Sequence, residues 1–363
     1  VDPTETLEAL ETPAALVDVA RVEGNLRCGA AYAAARGLRW RPHTKTHKTA
    51  ELARLQLAAG AGGLTVATPL EAEVMARVSD DVLLAYPPVG EARLRRLLAL
   101  PRHVRLSVAL DAPESLRPLA RAAHAAGRTV GVRVELDAGM RRVGVQTPEA
   151  AVALAREAAS LPGVTYEGVS FYPGHIRVPQ GEQDAALGAV RARLEGFLEA
   201  LLAAGLPPAV VSGGSTPTLW RSHEVPHVNE IRPGINALFD RASLLLGACT
   251  WDELAYTVLA TVVSTAVAGQ AVVDAGSKAL AKEEPPLGTG YGAVLGRPEV
   301  RVHALSEEHG LLDVSASAWR PRLGERVRLV PNHVCASVAL HGHLWALREG
   351  QPPERWEVAA RGW

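Results

Sequence analysis

The chain has 363 residues, enough for two domains of ordinary size or for one barrel of roughly 250 residues with a smaller partner. Hydrophobic residues make up 48% and charged residues 21%, and 38 basic against 39 acidic side chains leave a formal charge of -1. No surplus of Lys and Arg exists to drive binding to nucleic acid or to an anionic membrane surface.

Cys28, Cys249 and Cys335 are too scattered for a disulfide framework or a CxxC pair, and residues 1–12 carry four acidic side chains and no basic one. The longest apolar stretches fall short of the about 20 residues that span a bilayer. The expectation is a cytoplasmic, soluble protein.

From residue 15 to about 245, short apolar runs of β character alternate with Ala-, Leu-, Arg- and Glu-rich stretches of helical character. The runs fall at 38–45, 63–68, 82–86, 104–110, 130–136, 168–172, 209–213 and 228–232. Helices are predicted between them over 50–59, 70–78, 91–100, 113–126, 148–160 and 183–204. This alternation predicts an α/β fold, a (β/α)8 TIM-type barrel, because each parallel strand needs a crossover helix to return. The competing doubly wound sheet lacks its GxGxxG marker after Leu16 and Val17.

After residue 245 the texture becomes β-like, at 257–268, 271–274, 300–305, 326–330 and 337–340, with many Gly and Pro turns. The predicted division is a barrel over 15–245 and a mostly β domain over 246–363, which residues 1–14 join as an edge strand.

Working residues of such a barrel collect at the carboxyl ends of its strands. The first run ends in Arg41-Pro42-His43-Thr44-Lys45, and extended alternation would put Arg41, His43 and Lys45 on one face. Neighbouring cations and low-dielectric walls there would favour a nucleophilic lysine, although a lysine at a strand end also reaches solvent. The fifth run leads into Asp137 to Gly144 with Arg141 and Arg142, and the sixth into Tyr172-Pro173-Gly174-His175. These offer guanidinium, phenol and imidazole groups, each of which could equally be structural. The seventh and eighth runs end in Gly213-Gly214-Ser215-Thr216 and Arg232-Pro233-Gly234-Ile235-Asn236, turns suited to cradling a phosphate. An imine-forming lysine together with a phosphate cup describes pyridoxal phosphate.

The motifs RPHTKTHK, VELDAGMRRVGV, VSGGSTPT and EIRPG, in this order, resemble the fold-type III pyridoxal phosphate enzymes, the alanine racemase-like barrels. VVDAGSKAL, LSEEHG and PNHVCASVALH narrow the resemblance to the D-serine dehydratase and D-threonine aldolase group. It implies Lys45 as the imine-forming lysine with His43 beside it, and phosphate contacts from Gly213, Gly214, Ser215, Thr216, Gly234 and Ile235. Tyr172 and Arg142 are implied at the cofactor ring, with Arg141 and Arg232 as alternatives to Arg142. Asn236 departs from the aromatic residue that relatives often carry there.

His333 and Cys335, two residues apart, would share one side of an extended segment and form a two-ligand metal corner, or be an ordinary core pair. The resemblance implies the metal. Sulfur with imidazole points to zinc, whereas similar aldolases have His-x-Asp with an ion such as manganese. The implied reaction is a lyase reaction on a D-β-hydroxy amino acid. One form is dehydratase-like, with Lys45 taking the Cα proton and water leaving to give keto acid and ammonia. The other is retro-aldol cleavage to glycine and an aldehyde, with His175 as a base. A racemase using Tyr256 or Tyr291, or a non-catalytic pyridoxal phosphate carrier, would have no use for the metal pair. His341 and His343 are read as structural, and a homodimer is expected by analogy.

Overall fold

The computed structural model describes residues 7, 9–285 and 287–363. Strand β1 (Ala14–Asp18) and the helix Val19–Ala35 open the described chain. Eight parallel strands follow: β2 (Arg39–Trp40), β3 (Leu64–Val66), β4 (Asp81–Leu84), β5 (Arg105–Leu110), β6 (Val130–Leu136), β7 (Val164–Phe171), β8 (Val210–Gly213) and β9 (Glu230–Ile231). Each falls on one of the predicted runs. They lie in the order β2-β9-β8-β7-β6-β5-β4-β3, and a parallel bridge from His43 to Thr65 joins the two ends.

The crossover helices start where their sequences provide a cap. Thr68 and Thr147 each accept a backbone N–H from their third following residue, and each is followed by a proline whose missing N–H costs nothing in the first turn. The helix Pro113–Ala125 buries Leu116, Leu119, Ala120 and Ala123, the spacing of a single apolar stripe.

The barrel interior is charged as well as apolar. Arg41 donates to Glu230 at 2.9 Å and to both oxygens of Asp81 at 2.8 and 2.9 Å. Arg133, 1% exposed, bonds Glu230 and reaches Glu167 at 3.3 Å. Burial would raise the Glu230 carboxyl, but Arg41 and Arg133 hold it down to about 2. A buried charge is tolerated here because each has an opposite partner within hydrogen-bond reach.

The remaining strands are antiparallel neighbours: β10 (Tyr256–Ser264), β11 (Gln270–Val273), β12 (Gly292–Val294), β13 (Arg297–Leu305), β14 (Gly310–Asp313), β15 (Arg326–Pro331), β16 (His343–Leu347) and β17 (Glu354–Glu357). Pairing runs β10-β11-β14-β13-β12-β15 and back to β10, a closed barrel that leaves those strands without a free edge. Half of the expected edge strand, residues 1–6 and 8, lies outside the described residues. The strand present, β1, is internal, antiparallel to β10 and parallel to β16.

Two compact units result. One comprises residues 28–45, 50–234 and 362–363, and the other the described residues up to Arg27, then Thr46–Thr49 and Ile235–Arg361. The units interleave in sequence more than a division at residue 245 supposes, because β1 pairs in the second unit's sheet. Residues 337–340, expected as strand, belong to the helix Val334–Leu340 instead. Among the described residues no helix is long and apolar enough to cross a membrane.

Candidate active site

Extended pairing of the first barrel strand stops at His43, and Lys45 sits in a 3-10 turn, Thr44–Thr46. Alternation in a strand therefore does not place Lys45, and the Arg41 guanidinium is engaged by Asp81 and Glu230. The turn is held by Thr44, whose hydroxyl donates to the Thr65 carbonyl at 3.0 Å, and by the Lys45 N–H donating to His43 Nδ1 at 3.4 Å. The Lys45 amine lies 5.5 Å from the centre of the Tyr172 ring, and the Arg142 guanidinium 5.0 Å from the same centre. Two cations thus face one aromatic ring, an attractive arrangement for each.

The loop carrying Arg142 is tied by Asp137, whose carboxylate accepts the N–H groups of Gly139 at 3.0 Å and Arg141 at 2.9 Å. His175 is exposed and packs on this loop: a Cβ added to Gly139 would lie 3.2 Å from its ring. Lys45, Tyr172, Arg142 and His175 are accordingly gathered at the carboxyl ends of the strands.

The phosphate candidates are equally constrained. Gly213 stands against the Phe171 ring, where an added Cβ would come within 2.2 Å, and Gly214 has φ +89°, a conformation that disfavours any side chain. Ser215 and Thr216 are buried, and the Ser215 hydroxyl pairs with that of Thr218 at 3.0 Å. The Pro233 carbonyl, next to Gly234, accepts the His43 N–H at 3.4 Å. Ile235 opens a 3-10 turn assigned to the other unit. Asn236 is 1% exposed, and both polar atoms of its side chain lack a partner among the described residues.

Glu135 escapes a sequence reading, and Arg232 enters it only as an alternative to Arg142. Glu135 is buried at the end of β6, accepts the Ser170 hydroxyl, and is flanked by Arg232 and Arg142. Burial pushes its carboxyl up against the pull of those arginines. Arg232 donates to the Ser212 hydroxyl at 2.5 Å and to the Phe171 carbonyl at 3.0 Å, stitching the ends of β7, β8 and β9 together. The hint for Glu135 was its place in the EL step just before the Asp137 turn.

In the second unit, His333 precedes the helix Val334–Leu340 in an extended conformation and Cys335 lies in its first turn. The pair meets through this helix start, not through strand alternation. Burial works against a charged His333, but Cys335 and Asp240 push its imidazole up to about 11. Cys335 Sγ is 3.3 Å from the hydroxyl of Thr46, the residue that follows Lys45. Among the described residues no set of three or more His, Cys, Asp or Glu side chains is gathered for a metal.

Tyr256 is fully buried, with its hydroxyl 2.8 Å from that of Ser337. His341 Nε2 meets the Ala279 carbonyl at 3.1 Å, and His343 packs edge-on against Trp345 at 5.1 Å.

The residues present fit the groups the sequence implies. An amine beside an aromatic ring and a glycine cradle that a Cβ would fill suit a phosphorylated aldehyde cofactor. A sulfur and an imidazole nitrogen suit a zinc-type cation.

Residues 17–242 match the family model of the alanine racemase N-terminal domain, and residues 255–347 that of a putative serine dehydratase domain. The D-threonine aldolase of Arthrobacter sp. is 33% identical, covering 99% of this chain and 95% of that protein. The D-threo-3-hydroxyaspartate dehydratase of Delftia sp. is 35% identical, with 99% and 100% covered. A solved structure of a D-threo-3-hydroxyaspartate dehydratase, a cysteine-to-alanine variant in metal-free form, has TM-score 0.90 at 33% identity and covers 99% and 100% of the two chains. A histidine two positions before that cysteine has also been replaced by alanine in this dehydratase. The chain belongs to the fold-type III pyridoxal phosphate enzymes, in the lyase branch that joins an alanine racemase N-terminal barrel to a serine dehydratase domain.

Proposed function

We propose that the chain is a pyridoxal phosphate- and metal-dependent lyase that removes water from a D-β-hydroxy amino acid, giving a keto acid and ammonia. The observation that carries this reading is the placement of His333 just before the helix Val334–Leu340 and of Cys335 in its first turn, a sulfur-containing pair like the histidine and cysteine replaced in the dehydratase relative. When bound, the cofactor supplies an electron sink for charge developing at Cα and the cation draws electron density from the β-hydroxyl.

The chain's own residues divide the remaining work. Lys45 anchors the cofactor and takes the Cα proton, its amine oriented by the 3-10 turn and the Tyr172 ring. Gly213, Gly214, Ser215, Thr216, Gly234 and Ile235 bind the phosphate, and Arg142 contacts the ring. His333 and Cys335 hold the cation, with zinc as the metal. A homodimer and a cytoplasmic setting belong to the same proposal, on the family resemblance and the scattered cysteines.

Retro-aldol cleavage is the second reading. It is favoured by the exposed His175 imidazole beside the Arg142 loop and by the aldolase relative. Incubation with D-serine, D-threonine and D-3-hydroxyaspartate, with and without chelator, decides between them. Keto acid and ammonia support elimination, glycine and an aldehyde replace it by aldol cleavage, and unchanged turnover after chelation removes the metal from the reaction.

A further inference from the structure

Asp240 caps the helix Arg241–Leu245. One carboxylate oxygen accepts the Ser243 N–H at 2.8 Å and its hydroxyl at 2.6 Å. The other accepts the Val334 N–H at 3.1 Å and lies 3.2 Å from Nδ1 of His333. The Asp240 side chain is fully enclosed, while His333 keeps part of its ring open. A carboxylate oxygen accepts from the imidazole nitrogen that faces it, so when a cation takes the place of the ring's other proton, Nε2 is the nitrogen whose lone pair is offered.

The backbone leading to Asp240 is shaped for this contact. Phe239 adopts φ +51°, a left-handed conformation uncommon for a bulky residue. The N–H groups of Leu238 and Phe239 both bond the Ile235 carbonyl, at 2.9 and 2.7 Å, and the Leu238 carbonyl accepts the Ala255 N–H at 2.8 Å. These contacts hold the turn that aims the carboxylate at His333.

We infer that Asp240 is a positioning residue for a divalent cation: it fixes the tautomer and direction of His333 so that Nε2, with Cys335, is presented as a ligand. This rests on the proposed metal reading, and it adds a residue that the His-x-Cys motif does not contain.

The test uses the full chain, stripped by chelator and titrated with zinc and manganese ions against a chromophoric chelator. Asp240→Asn, which preserves volume and a helix cap, weakens zinc binding on the order of 10- to 100-fold. Ser243→Ala removes bonds to the same carboxylate without touching His333, and stays within about threefold of the parent, well short of that loss. An Asp240→Asn affinity within the same threefold, or an equal loss in Ser243→Ala, overturns the inference. Nitrogen NMR of the parent with zinc is an independent reading that needs no substitution: a protonated Nδ1 on His333 supports the inference and a protonated Nε2 refutes it. A parent chain that binds neither ion removes the metal reading and this inference together, whereas a parent that binds zinc with an unaffected variant removes the inference alone.

Discussion

The amine of Lys45 stands 5.5 Å from the centre of the Tyr172 ring, although 127 positions separate the two in sequence (172 minus 45). The ring limits where the amine can go, and the 3-10 turn beneath it sets the direction of approach.

Lys45→Ala is expected to abolish the visible imine band of the cofactor-loaded protein and to lower turnover on the order of 10²- to 10⁴-fold, the usual worth of a positioned acid–base group. Borohydride reduction followed by peptide mapping should place the label on Lys45 in the parent chain. A label on another lysine would contradict the assignment.

Gly213→Ala drives a methyl group to 2.2 Å from the Phe171 ring, a contact that cannot form without displacement. Overpacking of this kind costs about 1–3 kcal/mol, and the ring yields at the expense of the cradle. Weaker pyridoxal phosphate binding and a lower unfolding midpoint are both expected. Phe171→Leu in the same chain should recover part of each, measured by cofactor titration and thermal unfolding.

Glu230 links stability to acid. Burial opposes its charge, but Arg41 and Arg133 hold its folded-state value at about 2, below the roughly 4.3 of an unfolded glutamate. The folded state therefore binds fewer protons across this window, and the stabilisation present above about pH 4 is lost as pH falls toward 2. Glu230→Gln leaves both arginines short of a charge partner, which costs about 3–5 kcal/mol at neutral pH and flattens the acid limb of the stability curve. Chemical denaturation at several pH values tests both statements, and an unchanged acid limb would falsify the role given to Glu230.

Cys335→Asp exchanges a soft sulfur for a hard oxygen while His333 stays in place. Zinc affinity should fall and the preference should move toward manganese. Competitive metal titration of parent and variant reads the change directly, and an unaltered preference would show that Cys335 is not a ligand.

The eight barrel strands were legible because strands buried on both faces read as continuous apolar runs, and because their turns are marked by Gly and Pro. The motif residues Lys45, Tyr172 and Gly213 stood out for the same local reason, each lying at the end of such a run, and Arg142 lies in the Gly-marked turn that follows one. The local conformations were less legible. A strand was expected through Lys45 and over 337–340, and the chain forms a 3-10 turn at the first and a helix at the second. Short segments of this kind take the conformation that completes their tertiary contacts, against a weak local preference.

Sequence alone therefore determined the alternation of strands and helices, the change to a β domain and the residue types available for chemistry, all of which are properties of neighbours along the chain. Tertiary structure alone decided which of those residues meet. Asp240 reaches His333 across 93 positions, Arg133 reaches Glu230 across 97, and Glu135 reaches Ser170 across 35. Periodicity carries no information at such separations, because these partners are chosen by the burial of charge, which leaves a carboxylate or a guanidinium no stable place except beside its complement.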